Sequence, residues 1–161
     1  MPQRYAAAEI FERFSLIPIR FQVKDGLSVI SSNAVSHARL SLLILKLHQL
    51  LKWFDLAYAL SLEALNGNVT PLDEGVLASK HLTGQSISVQ HIKHFLQGSY
   101  LTKKRSQTVQ DPLSFRNAPF IHGAVYDALA YVEKNLLAEF DSSDDNPIVD
   151  RKSKRILSTP N

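Results

Sequence analysis

The stretch from about Ser32 to Leu65 constrains this chain most, because neither Gly nor Pro interrupts it and apolar residues recur at helical spacing. Leu43, Leu47, Leu50, Phe54 and Ala57 follow one another at steps of four and three, which predicts a buried bundle seam. A second stripe, Leu40, Ile44, Leu51 and Leu56, widens the apolar arc beyond one side. Asn66-Gly67 supplies a stop signal. About 34 residues rising 1.5 Å each make a rod of roughly 50 Å. A compact domain of 161 residues is only about 40 Å across. The helix is therefore longer than the globule that the rest could build around it. Two arrangements satisfy that: an elongated bundle, or cover from other chains or further sequence.

The same stretch is not a membrane span. Lys46, Lys52, Asp55 and Glu63 interrupt it, and a spanning helix needs about 20 nearly uncharged residues. Residues 1–14 carry Arg4, Glu9, Glu12 and Arg13, so no secretory signal is expected. Lys and Arg number 18 against 15 Asp and Glu, and this net charge of +3 is no nucleic-acid footprint. At 45% hydrophobic and 20% charged residues the chain is globular rather than disordered. Without cysteine there is no disulfide, thiolate metal site or Cys nucleophile. A soluble protein of a reducing, cytoplasmic setting is expected, with no membrane and no nucleic-acid partner.

Elsewhere the pattern predicts shorter pieces. Residues 6–14 form an amphipathic segment ended by Pro18, and Ile19, Phe21 and Val23 alternate with Arg20 and Gln22 as in a short strand. Gly26 is expected to break the chain ahead of the long helix. A short helix over residues 71–80 has Thr70 or Asp73 as its cap, and another over 86–97 ends at Gly98. Residues 102–119 are polar, contain Pro112 and Pro119, and are too long for a passive connection. Val125, Leu129, Val132, Leu136 and Phe140 mark a further helix. After a turn over 141–147, the basic stretch Arg151–Arg155 leads to residues 156–161, expected to close no element. The fold class is thus all-α, an elongated bundle of long helices with irregular loops. Residues 1–161 form a single partial domain that reads as cut short.

Few constellations carry chemistry by themselves. His91 and His94 share a helix face but lack further ligands, so a packing or surface role is expected and no metal site. His37, His48 and His81 stand singly. Asp141, Asp144 and Asp145 lack the spacing and central glycine of a calcium loop. Lys103, Lys104 and Arg105, like Arg151–Arg155, lack interleaved aromatics. No phosphate loop or nucleophile elbow occurs. The segment Gln110-Asp-Pro-Leu-Ser-Phe-Arg116 differs: a guanidinium suited to a bidentate grip on a carboxylate stands six residues from an amide.

That loop, with Val109 before it and Pro119 and His122-Gly-Ala124 after it, resembles the signature of the aromatic amino acid ammonia-lyases and aminomutases, the histidine, phenylalanine and tyrosine ammonia-lyase family. Three further segments match in order. Lys24-Asp-Gly-Leu27 with Val29-Ile30 resembles the family's Lys-Glu-Gly-Leu-Ala-Leu-Ile-Asn-Gly. His81-Leu-Thr-Gly-Gln85 resembles His-Pro-Gly-Gln, and Asp145-Asn-Pro-Ile-Val149 resembles Asp-Asn-Pro-Leu-Val.

The resemblance implies a part of a helical homotetramer whose central bundle is built from very long helices. It implies elimination of ammonia from an aromatic L-amino acid to give an unsaturated acid. It also implies that Arg116 binds the substrate carboxylate and that Gln110 is catalytic beside it. The family's electrophile, a methylidene-imidazolone (MIO), forms from an internal Ala-Ser-Gly, and none occurs here, so no cofactor is expected in these residues. Ser31 stands where the family has an active-site Asn; Asn33 lies two places on, a turn of about 200° on a helix. Leu113 replaces the usual Tyr. The expected substrate-binding set is Arg116, Gln110, Ser31, Asn33 and Leu113, acting in a homo-oligomer or with a complementing chain and inactive alone. The alternative is a non-catalytic helical assembly protein derived from the same fold.

Overall fold

The computed structural model describes residues 4–103, 108–143 and 146–158. They fall into two compact units, one from residues 1–33 and 143–161 and the other from residues 34–142.

In the first unit, α1 (Ala7–Arg13) and α2 (Asp25–Ile30) are short helices. The strand expected around Ile19–Val23 is absent: residues 16–22 are irregular and pair with no neighbour. Gly26 lies inside α2 rather than breaking the chain before it, since Lys24 absorbs the turn in the left-handed region at φ 78°. β1 (Ile148–Asp150) and β2 (Arg155–Leu157) form an antiparallel hairpin, Val149 opposite Ile156. Residues 155–157 thus do close an element, with the Arg151–Arg155 stretch as its turn. Asp150 makes that turn by accepting from the Lys152 and Ser153 backbone N–H groups, at 2.9 and 3.2 Å. These bonds hold its carboxyl below the usual range, that of the Ser153 hydroxyl foremost.

The second unit is helical, as expected. α3 (Ala34–Leu65, 32 residues) is the long helix, and Asn66 ends it in the left-handed region at φ 55°. A 3₁₀ turn over Thr70–Leu72 precedes α4 (Glu74–Lys80), followed by α5 (Thr83–Phe95). Residues 108–119 are more ordered than their composition suggests. They hold α6 (Leu113–Arg116), and Pro119 sits in the first turn of α7 (Ala118–Phe140), where a missing N–H costs nothing.

α3, α5 and α7 pack on one another and bury two apolar clusters. One comprises Tyr58, Ala59, Leu62, Leu72, Val89, Ile92, Leu96, Leu101 and Ala118; the other comprises Ile44, Leu51, Tyr126, Leu129 and Leu136. The seam expected along Leu43, Leu50 and Phe54 is not the buried one: these are 49, 47 and 51% exposed. The chain's own helices cover the neighbouring stripe through Ile44, Leu51, Asp55, Tyr58 and Leu62, and α3 keeps apolar residues on its other sides. Of the two caps considered for α4, Asp73 is the one used, accepting from Gly75 N–H at 2.8 Å. Asp73→Ala is expected to lower stability by about 1 kcal/mol, seen as a melting point a few degrees lower.

Candidate functional site

The loop carrying Gln110 and Arg116 is fixed by a clamp that sequence reasoning missed. Asp111 is buried; its carboxylate accepts from the Asn68 backbone N–H at 2.6 Å and from the Thr108 hydroxyl at 2.7 Å. Asn68, also buried, donates through Nδ2 to the carbonyls of Thr108 and Val109, at 3.2 and 3.4 Å. Its Oδ1 accepts from Thr70 N–H at 2.9 Å. The turn after α3 thus holds residues 108–111 from both sides. Gly67 is required there, because a Cβ would lie 2.4 Å from Leu62 Cδ1 and 3.0 Å from Asp111 Oδ2.

Beside the clamp lies a cavity of about 480 Å³ whose walls include Asn68, Lys80, Gln110, Asp111, Arg116 and Asn117. Arg116 ends α6 and Gln110 is exposed in the bend before it. Arg116 Nε is buried and meets no hydrogen-bond partner among the described residues. A buried cationic donor without an acceptor is unfavourable, and an anion entering the cavity would relieve it. Leu113 opens α6 and is exposed. Ser31 caps the end of α2 and Asn33 directly precedes α3; both belong to the first unit, whereas Gln110, Leu113 and Arg116 belong to the second. Lys104, Arg105, Asp144 and Asp145 lie outside the described residues.

A second polar group sits where the two apolar clusters meet. Asp55 on α3 is fully buried and accepts four hydrogen bonds. Ser88 Oγ and His122 Nδ1 reach its Oδ1 at 2.6 and 2.9 Å; Tyr126 OH and His91 Nδ1 reach its Oδ2 at 2.9 and 3.1 Å. A carboxylate only accepts, so both imidazoles carry hydrogen on Nδ1. Burial alone would push the Asp55 carboxyl up, but these four bonds outweigh it and hold the group below the usual range. Tyr126 is raised by burial and by its bond to that carboxylate. His91 hydrogen-bonds the buried Asp55, His94 contacts Phe95, and among the described residues no group of three or more His, Asp or Glu is placed to hold a metal ion. The signal for Asp55 was available: it stands in register with Leu51, Tyr58 and Leu62 on a buried helix stripe.

The His81–Gln85 and His122–Ala124 segments also meet. A Cβ on Gly84 would lie 2.0 Å from the Gly123 carbonyl oxygen, and one on Gly123 would lie 2.5 Å from Gln85 N, so α5 and α7 touch backbone to backbone.

The family model for aromatic amino acid lyases matches residues 2–161. A histidine ammonia-lyase of Streptococcus pyogenes serotype M5 (strain Manfredo) is 37% identical over 142 residues, 88% of this chain and 28% of that protein. One from Alkaliphilus oremlandii (strain OhILAs) is 33% identical over 160 residues, 99% of this chain and 32% of that protein. Among solved structures, ergothionase from Treponema denticola superposes with a TM-score of 0.85 at 35% identity, covering 94% of this chain and 31% of that one. Phenylalanine aminomutase from Pantoea agglomerans gives 0.81 at 24% identity, over 98% of this chain and 34% of that one, a likeness of fold. The chain spans less than a third of the length of either histidine ammonia-lyase.

Proposed function

We propose, since this chain belongs to the aromatic amino acid lyase family, that its Gln110–Arg116 loop is the carboxylate-binding arm of an ammonia-lyase site. The observation that carries this reading is the buried Arg116 Nε, without a partner among the described residues, beside a cavity that Gln110 also lines. Arg116 would hold the carboxylate of an aromatic L-amino acid, and Gln110 would add a directional hydrogen bond. The reaction breaks the C–N bond, removes a proton from the neighbouring carbon, and yields an unsaturated acid and ammonia.

The family's MIO electrophile does not fit the residues present, because it is built from Ala-Ser-Gly and these 161 residues contain none. The chain alone is expected to be inactive and to act with an electrophile-bearing segment, in the same polypeptide or a complementing one. The exposed apolar sides of α3 support a homo-oligomer or such a partner as their cover. Of the functional classes considered, a non-catalytic assembly role draws on those same exposed sides and on Ser31 and Leu113; a clean monomer by light scattering at high concentration would exclude it.

The test is an ultraviolet assay for unsaturated acid with L-histidine, L-phenylalanine and L-tyrosine, on the chain alone and on the chain completed by an electrophile-bearing segment. The completed enzyme should turn over one of them. Arg116→Ala should then weaken substrate binding by about 1.5–3 kcal/mol, roughly 10- to 150-fold in KM. An unchanged KM and rate would make Arg116 a structural residue only.

A further inference from the structure

The Asp55 network connects to the Arg116 loop through a run of ring contacts. The His122 ring meets Tyr58 edge-on, with centroids 6.4 Å apart and planes at 82°. Tyr58 in turn lies against Phe115, with centroids at 6.5 Å, and Phe115 immediately precedes Arg116. Tyr58 is also coupled to the other end of the loop: burial and then the charge of Asp111 push its hydroxyl up to about 12. His122 itself lies six residues beyond Arg116, on the second turn of α7.

We propose that Asp55 and His122 are positioning residues that set Arg116 for an anionic substrate group, acting through Tyr58 and Phe115. The inference rests on the reading of Arg116 given above. Its physical basis is orientation. A histidine ring held at only one nitrogen by a buried carboxylate keeps one tautomer and one face toward its neighbours. Ser88, His91 and Tyr126 occupy the remaining acceptor sites of Asp55, so the carboxylate cannot rotate away without breaking their bonds to it. Tyr58 and Phe115 then pack against a fixed ring edge. A planar, two-pronged guanidinium is sensitive to small displacements of the backbone that carries it, because both of its bonds depend on direction.

The experiment compares His122→Leu with His122→Asn, whose amide N–H can reach Asp55 much as Nδ1 does, in the completed enzyme. The readouts are KM for the amino acid that is turned over and the inhibition constant of the matching amine, which lacks the carboxylate. His122→Leu should raise KM roughly tenfold or more while the amine constant stays within about twofold. His122→Asn should recover most of the loss. An unchanged KM overturns the proposal. So does a parallel rise of both constants, which marks general loosening, or an Asn variant no better than Leu. If the completed wild type turns over none of the three amino acids, the carboxylate reading fails, and the positioning claim is judged by ¹⁵N and side-chain NMR of this chain. His122→Leu must shift the Arg116 Nε–H and Phe115 ring signals, and His122→Asn must bring them back; signals that do not move overturn it.

Discussion

Asp55→Ala is expected to destabilise this chain by about 3–5 kcal/mol, the range for removing one member of a buried charged network. The carboxylate is fully buried and accepts from Ser88, His91, His122 and Tyr126, so its loss removes the shared acceptor at the meeting point of α3, α5 and α7, leaving His91 and Tyr126 only each other at 3.0 Å. The urea midpoint should fall with little change in slope. An unaltered midpoint would show that the network contributes nothing to stability. The same group fixes a pH dependence. Its carboxyl lies lower in the folded than in the unfolded chain, so the unfolded state binds the proton more readily. The stabilisation is therefore fully present above the unfolded value of about 3.9 and is lost as pH falls through it toward the lower folded value. Asp55→Asn should flatten that acid limb of the stability curve.

Gly84→Ala is expected to cost about 3 kcal/mol, at the upper end of ordinary overpacking. The added Cβ would meet the Gly123 carbonyl oxygen at 2.0 Å and Asp127 Cγ at 2.8 Å. Backbone cannot swing aside as a side chain can, so α5 and α7 must part, stretching the bond from Gly84 N–H to Asp127 Oδ1 that now measures 2.8 Å. Gly26→Ala is the control. It also lies within a helix, yet nothing stands within 4 Å of the added Cβ. That change should be neutral or stabilise by about 0.5–1 kcal/mol. Equal losses at the two glycines would refute the close-contact account.

Much of the helical layout was legible because its determinants are local. The long helix, its stop at Asn66-Gly67, the Asp73 cap and the helix through Leu129 and Leu136 each follow from spacing and capping chemistry within a few residues. The Val109–Arg116 loop stood out through its resemblance to the family's signature rather than as chemistry, because many loops hold a Gln and an Arg a few residues apart. The misplaced strand at Ile19–Val23 shows the limit of local pattern, since alternation makes a strand only where a partner ladder exists, and none pairs there.

What the sequence by itself determined is therefore the helical class, the positions of the principal helices, and the family, carried by four short segments in order. What the tertiary structure decided is which side of each helix is inside. Leu43, Leu50 and Phe54 form as good a stripe as Ile44, Leu51 and Leu62, and only the approach of α5 and α7 selects the latter. That choice turns Asp55 from a charge interrupting an apolar run into the centre of a satisfied network, and it turns Asn68 and Asp111 into the clamp on the loop. The partners that decide this, Ser88 and Tyr126 for Asp55 and Asn68 for Asp111, lie 33 to 71 residues away in sequence. Hydrophobic burial is non-directional, so periodicity names the candidate faces while the packing of distant elements picks one.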